Sequence, residues 1–247
     1  MGLKIVHISD THGKHENLSI PECDVLLFTG DMGTRTNEHE LVSFLSWIEK
    51  QPAEVKIIIA GNHDVCMDKD WVNKQKKVGS VEGLLALQHY QNAKVLMESY
   101  KVKYLEDREY VYKGIKFYGS PYSPSFHRER WVFNADRGKE IKKVWDKIPS
   151  DVDVLLTHTP PYKILDYVDD RYKRHPDEDQ NVGCQDLMKV IQNRLIKLKL
   201  HCFGHIHETS GILIKDVSRT RSVIFSNGAC VTNRYQPVIT KPFIIEI

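Results

Sequence analysis

Short apolar runs recur along this chain, and each ends on polar residues able to bind a metal or move a proton. Lys4-Ile5-Val6-His7-Ile8 leads into Ser9-Asp10-Thr11-His12, and Asp24-Val25-Leu26-Leu27-Phe28 into Thr29-Gly30-Asp31. Val55 to Ile59 precedes Gly61-Asn62-His63-Asp64, and Asp153 to Leu156 precedes Thr157-His158. Leu200 to Phe203 does the same, more weakly, before Gly204-His205-Ile206-His207. Runs this short, rich in β-branched residues and closed by Gly, Asp or Ser, predict buried strands. Between Asn37 and Gln51 the apolar residues Leu41, Val42, Phe44, Leu45, Trp47 and Ile48 recur at helical spacing. Strand, helix, strand with near-continuous apolar strands implies a sheet covered by helices.

Further along, Glu82 to Gln91 predicts a helix. Tyr110-Val111-Tyr112 and Ile115 to Tyr118 flank Lys113-Gly114 and predict two strands about a tight turn. Helices are expected over Asn134 to Lys147 and over Val182 to Lys199, where Leu187, Val190, Ile191, Leu195 and Leu198 form one stripe. After His207 the pattern turns to strand over Gly211 to Val217, Ser222 to Ser226 and Pro242 to Ile247. The fold class that results is α/β: two packed mixed β-sheets, a β-sandwich, flanked by helices. No linker or repeat divides the chain, so residues 1–247 are expected to form a single domain.

Composition narrows the setting. The 247 residues carry a formal charge of +2, which argues against a broad basic nucleic-acid surface. The cluster Lys139, Lys142, Lys143 and Lys147 reads as the solvated face of a helix. The 5 cysteines are scattered without a CxxC pair, as expected of a reducing compartment rather than a disulfide framework. No signal-peptide pattern and no run long enough to span a bilayer occurs. Val6 stands where a myristoylation signal prefers Ser or Thr. A soluble, cytoplasmic protein without a membrane partner is expected.

The polar islands carry the chemistry. Asp10 and His12, two apart in extended backbone, point to one side and can reach one ion; a helix cap beside an unrelated histidine is the plainer alternative. Asp31 after Gly30 is either a bridging carboxylate or a turn residue. Asn62 offers a hard, neutral oxygen, His63 a proton donor, and Asp64 a carboxylate to hold the His63 tautomer. His158 precedes the rigid Thr159-Pro160-Pro161, and His205 and His207 add two imidazoles. His7, His15, His89, His127, His175 and His201 read as core or surface residues.

In chain order the islands read DxH, GD, GNHD, H and GHxH, and in this the chain resembles the calcineurin-like metallophosphoesterase superfamily. A narrower resemblance, to the metallophosphoesterase-domain-containing (fetal-brain-type) group, rests on several stretches. These are Gly119 to Pro124 with Phe126, Trp131, Phe133 and Asn134; Val182-Gly183-Cys184; His201 to Glu208; and Pro237 with the closing Ile244 to Ile247. The resemblance implies a four-layer architecture with metals at the strand ends. It implies that Asp10, His12, Asp31 and His207 hold one divalent ion and Asp31, Asn62, His158 and His205 a second, Asp31 bridging. It makes His63 the catalytic histidine, paired with Asp64. Some animal members are similar but carry Gly at the position of His205; here the His is intact.

Two departures from protein Ser/Thr phosphatases bear on substrate. Met32-Gly33 follows Asp31 where those enzymes continue toward Asp-Arg-Gly, and Ala60 stands where they carry Arg. Without an arginine clamp for a dianionic monoester, a singly charged diester is expected. The resulting expectation is a binuclear phosphodiesterase acting on small phosphodiesters, with cyclic nucleotides suggested by the narrower resemblance. A metal-bridging hydroxide would attack in line, and His63 would be the general acid. The ions are expected to be Mn²⁺, with Fe, Zn, Co or Ni also compatible with a thiolate-free ligand set. Tyr122, Phe126 and Trp131 are candidate substrate-stacking residues, with Phe133 beside them; packing a core or bracing a loop is their alternative role. The polar stretch Asp166 to Asn181, with Arg171, Lys173 and Arg174, reads as a lid or as surface. A DNA or RNA nuclease is the second enzyme reading and predicts a basic groove with salt-sensitive binding. A non-catalytic nucleotide-binding protein would lack a ligand, and none is missing.

Overall fold

The computed structural model describes residues 2–77, 81–126, 131–169, 179–237 and 242–247. Its first sheet has five strands: β1 (Lys4–Ile8), β2 (Cys23–Thr29), β3 (Ala53–Ile59), β4 (Lys103–Tyr104) and β13 (Phe243–Glu246), in the order β13-β1-β2-β3-β4. The second has six: β5 (Arg108–Tyr112), β6 (Ile115–Ser120), β9 (Val154–Thr157), β10 (Leu200–Phe203), β11 (Gly211–Ser218) and β12 (Arg221–Asn227), in the order β11-β12-β10-β9-β6-β5. β1, β2 and β3 run parallel, as do β6, β9, β10 and β12. A small pair, β7 (Ser123–Pro124) and β8 (Asn134–Ala135), stands apart.

Side-chain alternation builds the layers. Ile5, Val25, Leu27, Val154, Leu156 and Leu200 point between the sheets and form the central core. Val6, Ile8, Leu26 and Phe28 point outward under α1 (Glu38–Glu49) and α3 (Val81–Ser99), meeting Phe44, Ile48 and Met97. On the other side, Leu155, Phe203 and Phe225 lie under α4 (Lys139–Trp145) and α5 (Gln185–Asn193), against Trp145 and Leu187. Helix, sheet, sheet, helix is the predicted four-layer order. Each fully buried side chain of this size contributes about 1.5–3 kcal/mol.

Three element boundaries differ from expectation. α3 runs to Ser99, well past Gln91. The segment from Asn134 begins as a strand, and Gly138 at φ 83° separates it from α4, which starts at Lys139. α5 ends at Asn193, yet Leu195 and Leu198 remain buried. The apolar stripe continues while the chain turns to meet β9, Lys199 N–H donating to Asp153 O at 2.9 Å. Burial, not helix, produced the later part of that periodicity. Lys139, Lys142 and Lys143 are exposed as expected, and Lys147 pairs with Asp107 at 2.5 Å. Lys113-Gly114, at φ 47° and 79°, makes the tight turn between β5 and β6. α2 (Lys69–Lys77) was not anticipated.

Candidate metal centre

Every polar island falls on a loop at the carboxyl end of a parallel strand. Asp10 and His12 follow β1, Asp31 follows β2, and Asn62 and His63 follow β3. The second sheet supplies His158 after β9 and His205 and His207 after β10. The chain turns sharply at these residues: Asp10, His12, Asp31 and His205 have φ of 51°, 42°, 63° and 70°. Left-handed backbone at non-glycine residues costs on the order of 1–3 kcal/mol each and persists only where the surroundings impose it. Two glycines permit the convergence. A Cβ on Gly61 would lie 2.3 Å from Asp31 Oδ1, and one on Gly204 would lie 1.9 Å from Asp10 Oδ2.

Main-chain carbonyls orient the imidazoles. Nδ1 of His12 faces Gly33 O at 3.1 Å, Nδ1 of His158 faces Thr29 O at 2.8 Å, and Nδ1 of His207 faces Thr232 O at 3.0 Å. Nδ1 of His63 faces Thr34 O at 2.5 Å. A carbonyl only accepts, so each Nδ1 carries a proton and each ring turns its Nε2 to the interior. Those Nε2 atoms surround Asp31 Oδ2, at 3.7 Å for His12, 3.9 Å for His63 and 3.3 Å for His158. Nε2 of His207 lies 3.2 Å from Asp10 Oδ1 and 3.3 Å from Nε2 of His12. Two lone pairs facing each other beside a carboxylate repel unless a proton or a cation stands between them.

Donor atoms of Asp10, His12 and His207 lie within 4.8 Å of one another, as do those of His12, Asp31 and His63 and those of Asp10, Asp31 and His158. Asn62 Oδ1 adds an oxygen 2.9 Å from His158 Nε2. His205 joins differently: its N–H donates to both Asp10 oxygens at 3.1 and 3.0 Å, and its ring stands edge-on to His158 at 5.0 Å. The field here favours positive charge. Burial would raise Asp31, but the imidazoles of His158, His63 and His12 hold it well below the usual carboxylate range. Burial would lower His158, yet the Asp31 carboxylate pushes it up to about 9. Inward-facing imidazole nitrogens, buried carboxylates and an amide oxygen, with no thiolate, fit divalent transition-metal ions.

The calcineurin-like phosphoesterase family matches this chain over residues 3–209. The chain belongs to that family. It is a metal-dependent phosphoesterase. Metallophosphoesterase domain-containing protein 1 of Homo sapiens is 34% identical over 249 residues, 99% of this chain and 71% of that protein. UPF0046 protein K07C11.7 of Caenorhabditis elegans is 31% identical over 245 residues, covering 99% and 75%. Among solved structures, TT1561 of Thermus thermophilus superposes with a TM-score of 0.55 at 12% identity, over 92% of this chain and 89% of that one, a likeness of fold.

In this phosphoesterase Asp64 does not pair with His63, contrary to the sequence reading. Its carboxylate accepts the N–H groups of Asp31 (2.9 Å), Met32 (3.0 Å) and Gly61 (2.7 Å), with the Thr36 hydroxyl as a further donor. Asp64 thus ties the loop after β2 to the loop after β3. Burial and the nearby Asp31 charge push it up to about 6. Thr34, which the sequence did not single out, orients His63 instead.

A cavity of about 550 Å³ opens beside Asp31, Asn62, His63, His205 and His207. Phe126 and Trp131 line it, Phe126 5.2 Å from the His205 ring and Trp131 4.1 Å from the His63 ring. Tyr122 does not line it: its ring packs on Phe133 at 5.7 Å, where the outer cores meet, and Phe133 is buried. Those two brace the loop. Tyr235 was missed because no apolar run or motif surrounds it. At φ 57° it lines the cavity with its ring 4.6 Å from His12. Asp166 accepts N–H groups of Lys163 and Gly183, each at 2.9 Å, and Tyr167 bridges Asn181, so the flanks of the polar stretch are tied together. Arg171, Lys173 and Arg174 lie outside the described residues, as does His127.

Proposed function

We propose that this phosphoesterase hydrolyses small phosphodiesters, cyclic nucleotides among them, with two divalent ions, Mn²⁺ being the best match. The supporting observation is the facing pair of Nε2 atoms on His12 and His207 beside Asp10, with a second donor group around Asp31. Asp10, His12, Asp31 and His207 would hold one ion, and Asp31, Asn62, His158 and His205 the other. Bound there, the ions would supply a water deprotonated near neutrality and would neutralise charge on the phosphoryl oxygens.

The remaining work falls to side chains. His63 donates from Nε2 to the departing alkoxide, because Nδ1–H is engaged by Thr34 O. The Trp131 ring, tilted 34° against it, keeps the imidazole from swinging away. No guanidinium comes from positions 32 or 60, and that of Arg137 on the cavity wall serves the carbonyls of Val182 and Gly183. That favours a singly charged ester. A cavity of about 550 Å³ with three aromatic walls suits a mononucleotide-sized substrate. The buried, free cysteines support a cytoplasmic setting, and among the described residues no helix is long and apolar enough to cross a membrane.

A panel of mono- and diesters, including 2′,3′- and 3′,5′-cyclic nucleotides and short oligonucleotides, assayed with Mn²⁺ and with chelator, tests this reading. Cyclic diesters are expected to be the better substrates. Preference for monoesters would overturn the substrate class, and salt-sensitive cleavage of oligonucleotides would point to a nuclease. His63→Ala is expected to lose about 100- to 10,000-fold in kcat on alkyl esters and far less on an aryl ester whose leaving group needs no proton.

A further inference from the structure

Each donor set draws on both sheets, so something must fix one sheet against the other. Between the sheets the inward positions are apolar along most of their length, as at Leu3 and Ile5 on β1 and Val25 and Leu27 on β2. At the site end the pattern breaks. The next inward position on β1 is His7, on β2 it is Thr29, and on β12 it is Ser226, all fully buried. His7 Nδ1 lies 2.8 Å from Ser226 Oγ, across the gap between the sheets, and Nε2 lies 3.0 Å from Thr29 Oγ1. Both ring nitrogens are engaged, and Gly228 packs so closely that a Cβ there would lie 2.7 Å from the ring.

Each partner of His7 leads to the donors above it. The Thr29 carbonyl holds Nδ1 of His158 at 2.8 Å, and Asp31 follows two residues on. Ser226 precedes Asn227, whose Nδ2 donates to Ile206 O at 2.7 Å, between His205 and His207. Above His7, Ser9 N–H donates to Gly228 O at 2.7 Å, and Asp10 comes next. We propose that His7 is a positioning residue: its bond to Ser226 sets the separation of the two donor-bearing sheets and thereby the fit of the site for a pair of ions. The inference rests on the two-ion reading given above. A phenyl ring would fill the same space, but two hydrogen bonds of fixed direction locate the sheets where apolar packing alone tolerates sliding.

The test uses the full chain and Mn²⁺ alone as probe, with titration calorimetry, low-temperature electron paramagnetic resonance of the loaded protein and thermal melts of the metal-free protein. Ser226→Ala removes the cross-sheet bond and leaves His7 in place. It is expected to melt close to the parent when metal-free, to bind Mn²⁺ about tenfold or more weakly, and to trade an exchange-coupled spectrum for that of isolated ions. His7→Asn, whose amide still reaches Ser226, is expected to keep more affinity than His7→Leu. Val25→Ala, an inward position remote from the site, supplies the control. Parent-like affinity and coupling in both Ser226→Ala and His7→Leu would overturn the positioning role. So would an equal loss of Mn²⁺ affinity in Val25→Ala. A parent protein that fails to take up two ions would overturn the two-ion reading and this inference with it.

Discussion

Asp64 has two acceptor oxygens and four donors around them, three of them backbone N–H groups from the two loops that carry Asp31 and Asn62. Removing it strands those buried N–H groups, each costing about 1–3 kcal/mol. Asp64→Ala is therefore expected to destabilise the metal-free protein by several kcal/mol in denaturant titration, whereas an acid–base partner of His63 would shift the pH–rate profile and leave stability alone. The buried histidines make a second point at this scale. Burial pushes His7 and His201 down to about 3 from 6.5, so both are neutral in the native protein while the unfolded chain protonates them near 6.5. Between those values the unfolded state binds more protons, and stability falls as pH drops. Asp10, held at about 2 in spite of burial by its bond to His207, adds to the acid loss; Asp64 opposes it between 3.8 and about 6. Denaturant titration at pH 5 is expected to give clearly lower stability than at pH 7.5, with a flatter dependence in His201→Phe.

Among the elements, α1 is tied to the site without contributing a ligand. Its N-cap Asn37 accepts from Glu40 N at 3.0 Å, and Glu40 returns a bond to Asn37 N at 3.2 Å, a capping box. Glu40 also accepts from Thr34 N at 3.3 Å, and Thr34 O orients His63. Glu40→Ala is expected to cost about 1 kcal/mol of stability, as cap losses do, and, if His63 is the proposed proton donor, to lower kcat more than it changes KM, because the tether of His63 loosens. Steady-state kinetics beside a thermal melt separates the two effects. Helical spacing marked the span from Asn37, but not the link from Glu40 to His63, since that depends on where β3 ends relative to β2. Strands were legible for a plain reason: both faces are buried, so each reads as an apolar run closed by a polar island. The end of α5 was not, because Leu195 and Leu198 stay buried after the helix stops.

At the scale of the molecule, the donors divide between sheets, and ions bound there would join the two halves. A ligand that binds only the native state stabilises it by RT ln(1 + [L]/Kd), about 2.7 kcal/mol at one hundred times Kd. Chelation is expected to lower the melting temperature, Mn²⁺ to restore it in a concentration-dependent way, and His158→Ala to blunt that response. The layered architecture and the polar islands at the strand ends were readable from order and spacing along the chain. What escaped depended on three-dimensional proximity alone. Tyr235 and Thr34 sit in unpatterned loops, and Asp64, adjacent to His63 in sequence, turns its carboxylate toward two loops instead of its neighbour.

The close approach at Gly61 and Gly204 has an outcome for anyone mapping tolerance to change. Neither position offers a functional group, yet a single methyl at either would press on an aspartate oxygen of the centre. A saturation scan scored by turnover would rank these chemically blank sites beside the histidines. Without the structure, a search for the reaction step they perform would come up empty.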